Sequence, residues 1–441
     1  MSDGEPRWRA GSAAATLPIA VGTPLGGYMA RTSPATGTHD PLQIGVLHLE
    51  AGTRSLTLVT ADVIGVDADL RDRIATSAGM PPLTVMLAAS HTHSGPEGIV
   101  RRLHPIEPDA GDETLRQRFV QIASDGVRQA RSTCEPVSLS FAIADASGAW
   151  SNRNDRTAPN DPRLRLLMTR REDTTLQTIV ALTPVHPTVL GAESTVVSAD
   201  LSGGIRRQIA TLPDASGTTI LSPTGAAGDV STRFVRQAPT PAEIDRLAAI
   251  ATRNAGDAIR AATPIAISAD SLRHNHASIR LPSFREDLDP DPAQARVEAR
   301  EAMNRAEADQ SDPATLRQAI TRYQGAYLRW QMAQNPSIAG DTAIDLDLWL
   351  LDDETVLVAL PVELFTTLGQ RIERASPFPV TLIVGYANGY AGYVADTDAW
   401  DAATYEALAS PYARRAGDAL VAAVIGRLQS LHAERTPSAR P

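Results

Sequence analysis

The sequence predicts a mixed α/β fold, with β-sheets flanked by helices, and three observations support this prediction. Short runs rich in Val, Ile, Leu and Thr alternate with segments of helical periodicity. Hydrophobic residues make up 43% and charged residues 21% of the 441 residues, which is typical of a soluble globular protein with a large core. Between about 286 and 336 the composition shifts to Ala, Glu, Arg and Gln, which predicts a helical pair inserted into a single domain of residues 1–441.

The individual elements are predicted from local pattern and from the residues that end each run. Apolar runs bounded by Gly, Pro, Asp or Ser predict strands at 56–66, 83–89, 137–143, 164–168, 176–184 and 218–222. Helical spacing predicts helices at 201–212 and 241–262. The inserted helical pair is charge-rich, so we expect it to form a solvated surface hairpin. Beyond it we expect a strand hairpin at 344–351 and 355–360, a helix that starts near Glu363, a strand at 380–386 and a final helix at 411–428.

Charge and residue usage exclude several classes of function. The net charge of −10 leaves no basic surface field for nucleic acid, and the absence of Lys removes Schiff-base chemistry. The lone Cys134 rules out an internal disulfide or a zinc ribbon. No run approaches the ~20 apolar residues of a membrane span. We therefore expect a cytoplasmic protein with no nucleic-acid partner and no stable membrane association, and no pattern indicates its oligomeric state.

The strongest local signal is the segment AASHTHSGP at 88–96, which directly follows an apolar run. Residues two apart on an extended chain point to the same face, so His91 and His93 should project together from a strand end. Two imidazoles in that position can form a metal site or an acid–base pair. The motif alone leaves open the alternative that both are structural, hydrogen-bonded histidines.

Four further segments end apolar runs with polar residues that could carry chemistry. They contain His186 in TPVHPT, Ser231 in GDVSTR, Glu363 in PVELF, and the tyrosines of GYANGYAGYV at 385–394. Small residues let a backbone approach a ligand closely. Each segment also has a structural interpretation, which is a helix N-cap for Glu363, tight turns for the glycines and core packing for the tyrosines.

Together these motifs resemble the N-terminal catalytic domain of the neutral, non-lysosomal ceramidase family. The resemblance extends over nearly the whole chain, from the GGY motif at 26–28 and the GTHD motif at 37–40 to Tyr405-Glu406, and it includes Asn152-Arg153. It implies a zinc-dependent amidohydrolase in which two His, one Glu and one Tyr hold the metal. In such an enzyme a water that the zinc activates attacks an N-acyl bond.

The resemblance also assigns residues of this chain to that site. The implied zinc ligands are His91, His186, Glu363 and Tyr393. His93 would then be a catalytic or substrate-facing imidazole beside them. Ser231 matches the active-site serine, and it either attacks the substrate or orients the water. The second role is favoured because a serine nucleophile needs an adjacent base. Arg153 and Tyr405 would bind the substrate, Arg153 through donors to the developing oxyanion or to a carboxylate.

The sequence departs from the family pattern beside two motifs. Arg233 follows the GDVS motif and Glu97 follows the HTHSGP motif, where family members commonly have uncharged residues. Arg233 either faces the pocket, where it would bind an anionic group of the substrate, or points outward to a surface acid. Ceramidases are usually secreted and carry a C-terminal immunoglobulin-like domain, whereas we expect a short cytoplasmic member without it.

We therefore expect a zinc amidohydrolase that cleaves, or in reverse forms, an amide or lactam bond of a small polar molecule. The alternatives are ester or lactone hydrolysis at the same metal, true ceramidase activity, and a catalytically silent binding protein. Ceramide is expected to be a poor substrate, because 4% aromatic residues and a net charge of −10 offer little to hold a membrane lipid.

Overall fold

The computed structural model describes residues 7–288, 291–338 and 340–435, and it confirms the mixed α/β class. The strands are β1 (Trp8–Leu17), β2 (Gly37–Thr38), β3 (Leu42–Ala51), β4 (Arg54–Ala61), β5 (Val85–Ala89), β6 (Glu135–Asp145), β7 (Ser151–Asn152), β8 (Arg163–Arg171), β9 (Leu176–Leu182), β10 (Val196–Val197), β11 (Thr219–Leu221), β12 (Val230–Ser231), β13 (Thr263–Ile265), β14 (His274–Leu281), β15 (Thr342–Leu350), β16 (Thr355–Ala359), β17 (Glu363–Leu364), β18 (Val380–Val384) and β19 (Tyr393–Val394). The helices are α1 (Ala68–Ser77), α2 (Glu113–Ser132), α3 (Asp200–Ala210), α4 (Pro241–Thr252), α5 (Ala255–Arg260), α6 (Pro292–Ala308), α7 (Pro313–Gln334), α8 (Thr366–Ala375), α9 (Thr397–Asp401), α10 (Tyr405–Ala409) and α11 (Ala416–Ala433).

Two mixed sheets form the centre of the molecule. The larger has the order β11-β9-β8-β6-β1-β3-β4-β5, with β13 added beside β6, and the smaller has the order β14-β15-β16-β18. Most neighbours are antiparallel, but β4 and β5, β9 and β11, and β16 and β18 run parallel. The carboxyl ends of these parallel pairs carry the residues of the candidate site.

The two sheets pack face to face, and helices cover both outer faces. Leu47 of the larger sheet belongs to the same buried cluster as Trp349 and Leu382 of the smaller sheet. The preceding residue, Val46, instead packs under helix α2 in a separate cluster. Successive side chains of a strand point to opposite faces, so both faces of strand β3 are buried. The result is a four-layer arrangement of helices, sheet, sheet and helices.

Several predicted elements differ from the observed ones in extent. The strand predicted at 56–66 ends at Ala61, because Asp62 leaves the ladder and pairs with Arg206. The helix predicted at 241–262 is divided into α4 and α5 around Asn254, whose side chain donates to the carbonyl of Asp145 at 2.8 Å. Strands β1 and β3 and helices α1 and α2 were not predicted.

The helical pair is present as α6 and α7, but the expectation of a solvated surface hairpin is wrong for α7. Its residues Leu328 and Met332 are buried. Gly325 meets helix α10 so closely that an added Cβ would lie 3.1 Å from the Cα of Tyr405. Arg317, on the same helix, lines a cavity of the candidate site. The charge-rich sequence pattern therefore describes only the exposed side of helix α7.

Within the described ranges, no helix combines the length and the hydropathy that crossing a bilayer requires.

Asn388 fixes the loop after β18 against strand β5. Its backbone has a φ of 58°, its Oδ1 accepts the N–H of Leu87 at 2.8 Å, and its Nδ2 donates to Asp347 Oδ2 at 2.7 Å. A buried N–H or carboxylate that loses its partner costs free energy, so these bonds hold the two sheets in register at the site.

We expect Asn388→Ala to lower the free energy of unfolding by about 2–4 kcal/mol, because it leaves Leu87 N–H and Asp347 without these partners. Urea denaturation of the purified protein measures this loss. Asn275→Ala on strand β14 is the matched control, since the buried Oδ1 of Asn275 has no partner within the described structure. It should change stability by less than about 0.5 kcal/mol. Equal losses in the two variants would contradict the assignment.

Candidate active site

The polar residues of the site follow the carboxyl ends of strands from both sheets. His91 lies two residues after β5, His186 four after β9, Glu363 four after β16 and Tyr386 two after β18. The backbone N–H of Ala89 donates to the carbonyl of Tyr386 at 3.1 Å, which joins the two sheets at this edge. Crevices beyond the carboxyl ends of parallel strands are common ligand sites in α/β proteins.

Backbone carbonyls fix the orientation of His91 and His186. The Nδ1 of His91 lies 2.6 Å from the carbonyl of Ile64, and the Nδ1 of His186 lies 2.7 Å from the carbonyl of Ala227. A carbonyl only accepts, so each Nδ1 must carry the proton. The Nε2 atoms of both rings therefore face the centre of the site.

Glu363 lies between these two nitrogens. Its Oε2 is 2.9 Å from His186 Nε2 and 3.3 Å from His91 Nε2. Burial would raise the pKa of this carboxyl group, but His91 and His186 outweigh burial and hold the pKa well below its usual range. Glu363 is therefore a buried carboxylate anion.

This donor set could hold a metal ion. Burial, helped by nearby Arg153, lowers the pKa of His186 to about 4, so its ring is neutral at pH 7. A neutral ring protonated at Nδ1 presents a lone pair at Nε2, so a positive charge, either a proton on Nε2 or a cation, has to lie between Nε2 and Glu363 to offset the repulsion between them. A cation held between these atoms would remove the repulsion, and carbonyl-oriented imidazoles with one carboxylate are a common ligand set of hydrolytic zinc.

His93 joins the same group. One ring nitrogen from each of His91, His93 and His186 lies within 4.8 Å of the others, and the Nε2 atoms of His91 and His93 are 3.3 Å apart. The nitrogens meet as the sequence predicted, but not along an extended chain, because His91 has a φ of 63° and the two rings are perpendicular. The Nδ1 of His93 is buried and has no partner in the described part of the chain.

The Gly/Tyr-rich loop contributes residues that sequence reasoning did not assign. The hydroxyl of Tyr390 donates to Glu363 Oε1 in a short hydrogen bond, and that of Tyr386 donates to Oε2 at 3.4 Å. The ring of Tyr386 stacks on His91 with centroids 4.2 Å apart. The sequence indicated only that Tyr386 and Tyr390 belong to a loop that could carry chemistry. No local pattern indicated which tyrosine contacts the carboxylate of Glu363.

The helix predicted near Glu363 is present as α8, but it begins three residues later, and the interpretation of Glu363 as a helix N-cap is wrong. Glu363 and Leu364 form strand β17, which pairs in parallel with Tyr393 and Val394. The N–H of Glu363 donates to the carbonyl of Gly392 at 3.0 Å, and helix α8 begins only at Thr366. The extended backbone is imposed by this pairing with a segment thirty residues away, which a local pattern does not contain.

Tyr393 faces Arg153. Its hydroxyl accepts a hydrogen bond from Arg153 Nη2 at 3.0 Å, and its ring lies parallel to that of His186 with centroids 6.4 Å apart. Arg153 Nε also pairs with Glu406 Oε1 at 2.5 Å, and Nη2 donates to the carbonyl of Gly228. Sequence reasoning missed Glu406, although it directly follows Tyr405.

Ser231, Tyr405 and Arg233 line one cavity together with His93 and Arg153. Ser231 Oγ accepts the backbone N–H of Arg233 at 3.2 Å, and the ring of Tyr405 lies edge-on to Tyr393. Of the two orientations that the sequence left open for Arg233, the structure has the one toward the pocket. A second cavity shares His93 and Tyr393 with the first and is lined by His91, Glu363 and Glu97.

Two solved structures share the fold of this chain, although no protein-family model and no curated protein sequence matches it. The neutral ceramidase from Pseudomonas aeruginosa has a TM-score of 0.72 and 17% sequence identity, over 99% of this chain and 77% of that chain. A structure described as ceramidase complexed with C2 has a TM-score of 0.71, with 17% identity over the same shares. The chain therefore has a neutral-ceramidase-like fold, which confirms the resemblance indicated by the motifs.

Gly228 lies where the GDVS loop crosses strand β17. A Cβ added there would lie 2.6 Å from the carbonyl oxygen of Glu363 and 2.9 Å from Phe365. We expect Gly228→Ala to lower the free energy of unfolding by about 1–3 kcal/mol, because rigid backbone must move away. Gly37→Ala, where no atom lies within 4 Å of the added Cβ, should change it by less than about 0.5 kcal/mol. Thermal denaturation compares the two, and a tolerated Gly228→Ala would contradict this packing.

Proposed function

We propose that this chain is a zinc-dependent amidohydrolase that cleaves, or in reverse forms, an amide or lactam bond of a small molecule. The observation that carries the proposal is the convergence of two carbonyl-oriented histidines on the buried carboxylate of Glu363. The ceramidase-like fold supports the choice of an amide bond, since the similar structures are ceramidases.

In this proposal four residues hold the zinc. They are His91, His186, Glu363 and Tyr393. When bound, zinc would supply a Lewis acid and lower the pKa of water to about 7. The hydroxyls of Tyr386 and Tyr390 hold the Glu363 carboxylate in place through hydrogen bonds. Such outer contacts orient a ligand and tune its affinity for the metal.

The remaining residues act on the substrate. Burial, together with His91 and His186, lowers the pKa of His93 well below its usual range, so its ring is neutral and accepts a proton from the attacking water at Nε2. Arg153 Nη1, which makes none of the bonds to Glu406, Gly228 or Tyr393, donates to the developing oxyanion. Tyr405 closes the same cavity against the substrate.

Ser231 orients the water in this proposal and does not act as a nucleophile. Its Oγ accepts a hydrogen bond from the backbone N–H of Arg233. In the described part of the chain, no histidine or carboxylate hydrogen-bonds to this hydroxyl, and a serine nucleophile needs such a base.

We expect the purified protein to contain about one zinc ion per chain. Chelation should abolish release of the acyl group from short N-acyl amides and should also lower the melting temperature. A ligand at one hundred times its Kd stabilises the folded state by about 2.7 kcal/mol, so calorimetry detects the metal independently of activity. Ester and lactone analogues measured in parallel identify the bond preferred. Full activity in the metal-free protein would refute the mechanism.

The roles of the two neighbouring histidines are separable. His91→Ala should abolish zinc binding, whereas His93→Ala should retain the metal and lose turnover by about 10²–10⁴-fold, the usual contribution of acid–base catalysis. Metal content by emission spectrometry and initial rates on one N-acyl amide measure the two effects. His48→Ala is a matched control, because His48 is also buried but bonds Thr57 on the sheet away from the site. Equal metal loss in the His91 and His93 variants would mean that His93 is itself a ligand.

A further inference from the structure

The cavity that contains His93 and Ser231 has a strongly positive lining. Among the described residues around it are four guanidinium groups and one carboxylate. The guanidinium groups belong to Arg153, Arg233, Arg236 and Arg317, and the carboxylate to Glu406. In a protein whose net charge is −10, this concentration of positive charge is local to the pocket.

The one carboxylate among the described lining residues already has partners within the protein. Glu406 Oε1 pairs with Arg153 Nε at 2.5 Å, and Oε2 accepts a hydrogen bond from Asn154 Nδ2 at 3.0 Å. Arg153 therefore has its counter-charge within the protein. Among the described residues, the other three arginines of the lining form no ion pair or hydrogen bond with Glu406.

Neutral groups occupy only part of the donor capacity of these arginines. Arg233 Nη1 donates to the carbonyl of Arg153 at 2.9 Å, and Arg236 Nη1 donates to the carbonyl of Thr188 at 2.8 Å. Arg317 makes no ion pair with another described residue. Burial, with Arg153 close by, lowers the pKa of Arg233 to about 10, so the charge of Glu406, which raises this pKa, offsets these effects only in part.

The three arginines come from two separate elements of the fold. Arg233 and Arg236 follow strand β12, which also carries Ser231, whereas Arg317 belongs to helix α7. The next residue on that helix, Gln318, donates to the carbonyl of Asn154 at 3.1 Å and so ties the helix to the pocket. A ligand in the cavity would therefore meet positive charge from two parts of the chain and border His93.

We propose that this cavity binds an anionic group, a carboxylate or a phosphate, on the same molecule whose amide bond is cleaved. The inference rests on the proposed function and adds the substrate class to it. Guanidinium groups present paired donors that match the oxygens of both anions. A purely apolar acyl or sphingoid chain in the same place would leave the guanidinium groups desolvated and unpaired.

The test compares four substrates with the same hexanoyl group and measures the hexanoate released. N-hexanoylglycine carries a carboxylate and N-hexanoylethanolamine phosphate a phosphate, while N-hexanoylglycinamide and N-hexanoylethanolamine are their neutral counterparts. We expect the anionic member of at least one pair to have a kcat/KM about 10-fold higher. The pair that shows the preference identifies the anion. Long-chain ceramide in detergent, a neutral amide, should be cleaved more slowly than either preferred substrate.

Three variants show whether the arginines cause this preference. Arg317→Gln and Arg236→Gln should each reduce the preference about 10-fold, mainly through KM, and added sodium chloride should reduce it in the native protein. Arg322→Gln is the matched control, because Arg322 is exposed five residues further along helix α7 and is not part of the pocket lining. Equal turnover of anionic and neutral substrates, or an unchanged preference in both pocket variants, would overturn the proposal.

A binding measurement separates this inference from the proposed function. Titration calorimetry of the purified protein with N-hexanoylglycine and with inorganic phosphate reports anion binding without hydrolysis. One outcome is that the protein binds the anions, that Arg317→Gln weakens this binding, and that none of the amides is hydrolysed. This outcome would support the anion site and refute the hydrolase. Hydrolysis of neutral amides without anion binding would support the hydrolase and overturn the anion site. Absence of both would overturn this inference as well.

Discussion

The buried carboxylate of Glu363 is the constraint on which the rest of the site depends. An anion with almost no contact with solvent is stable only if hydrogen-bond donors and positive charge compensate its lost hydration. Two tyrosine hydroxyls supply the donors. The nearest histidine nitrogens, at 2.9 and 3.3 Å, are the Nε2 atoms, which carry a lone pair when the ring is neutral because backbone carbonyls hold the proton on Nδ1. The protein has therefore assembled negative and lone-pair density around one point, which is the arrangement that a cation stabilises.

The four-layer fold explains how one point can collect groups from distant parts of the sequence. Strands β5 and β9 belong to the larger sheet and β16 and β18 to the smaller, yet all four end at the same edge of the molecule. Asn388 and the contact between Ala89 and Tyr386 hold the sheet ends together there. The packing between the sheets is thus the element that sets distances within the site, and a shift of one sheet on the other would separate Glu363 from its histidines.

The parts of this site that sequence could predict are those encoded locally. A strand followed at once by a polar residue is visible in a short window, which is why His91, His186 and Ser231 could be found together with the loop that holds the tyrosines. Strand β17 could not be predicted in this way, because its extended backbone comes from pairing with Tyr393. Strand β1 was missed for another reason: its alanines and Gly11 give no apolar alternation, since helix α2 packs so closely that a Cβ on Gly11 would lie 1.9 Å from the carbonyl of Ala130.

The arginine-lined cavity could also be predicted from sequence only in part. Arg233 was visible as a departure beside a motif, whereas Arg317 looked like one more charge on a solvated helix, and only the docking of α7 on α10 brings it to the pocket. The likeness to the ceramidase structures is one of fold, and a fold fixes where strands end, whereas helix α7 and the loop after β12 supply the arginines that line the cavity. The groups around Glu363 and the charge around the cavity therefore come from different parts of the chain, the strand ends in one case and helix α7 with the loop after β12 in the other.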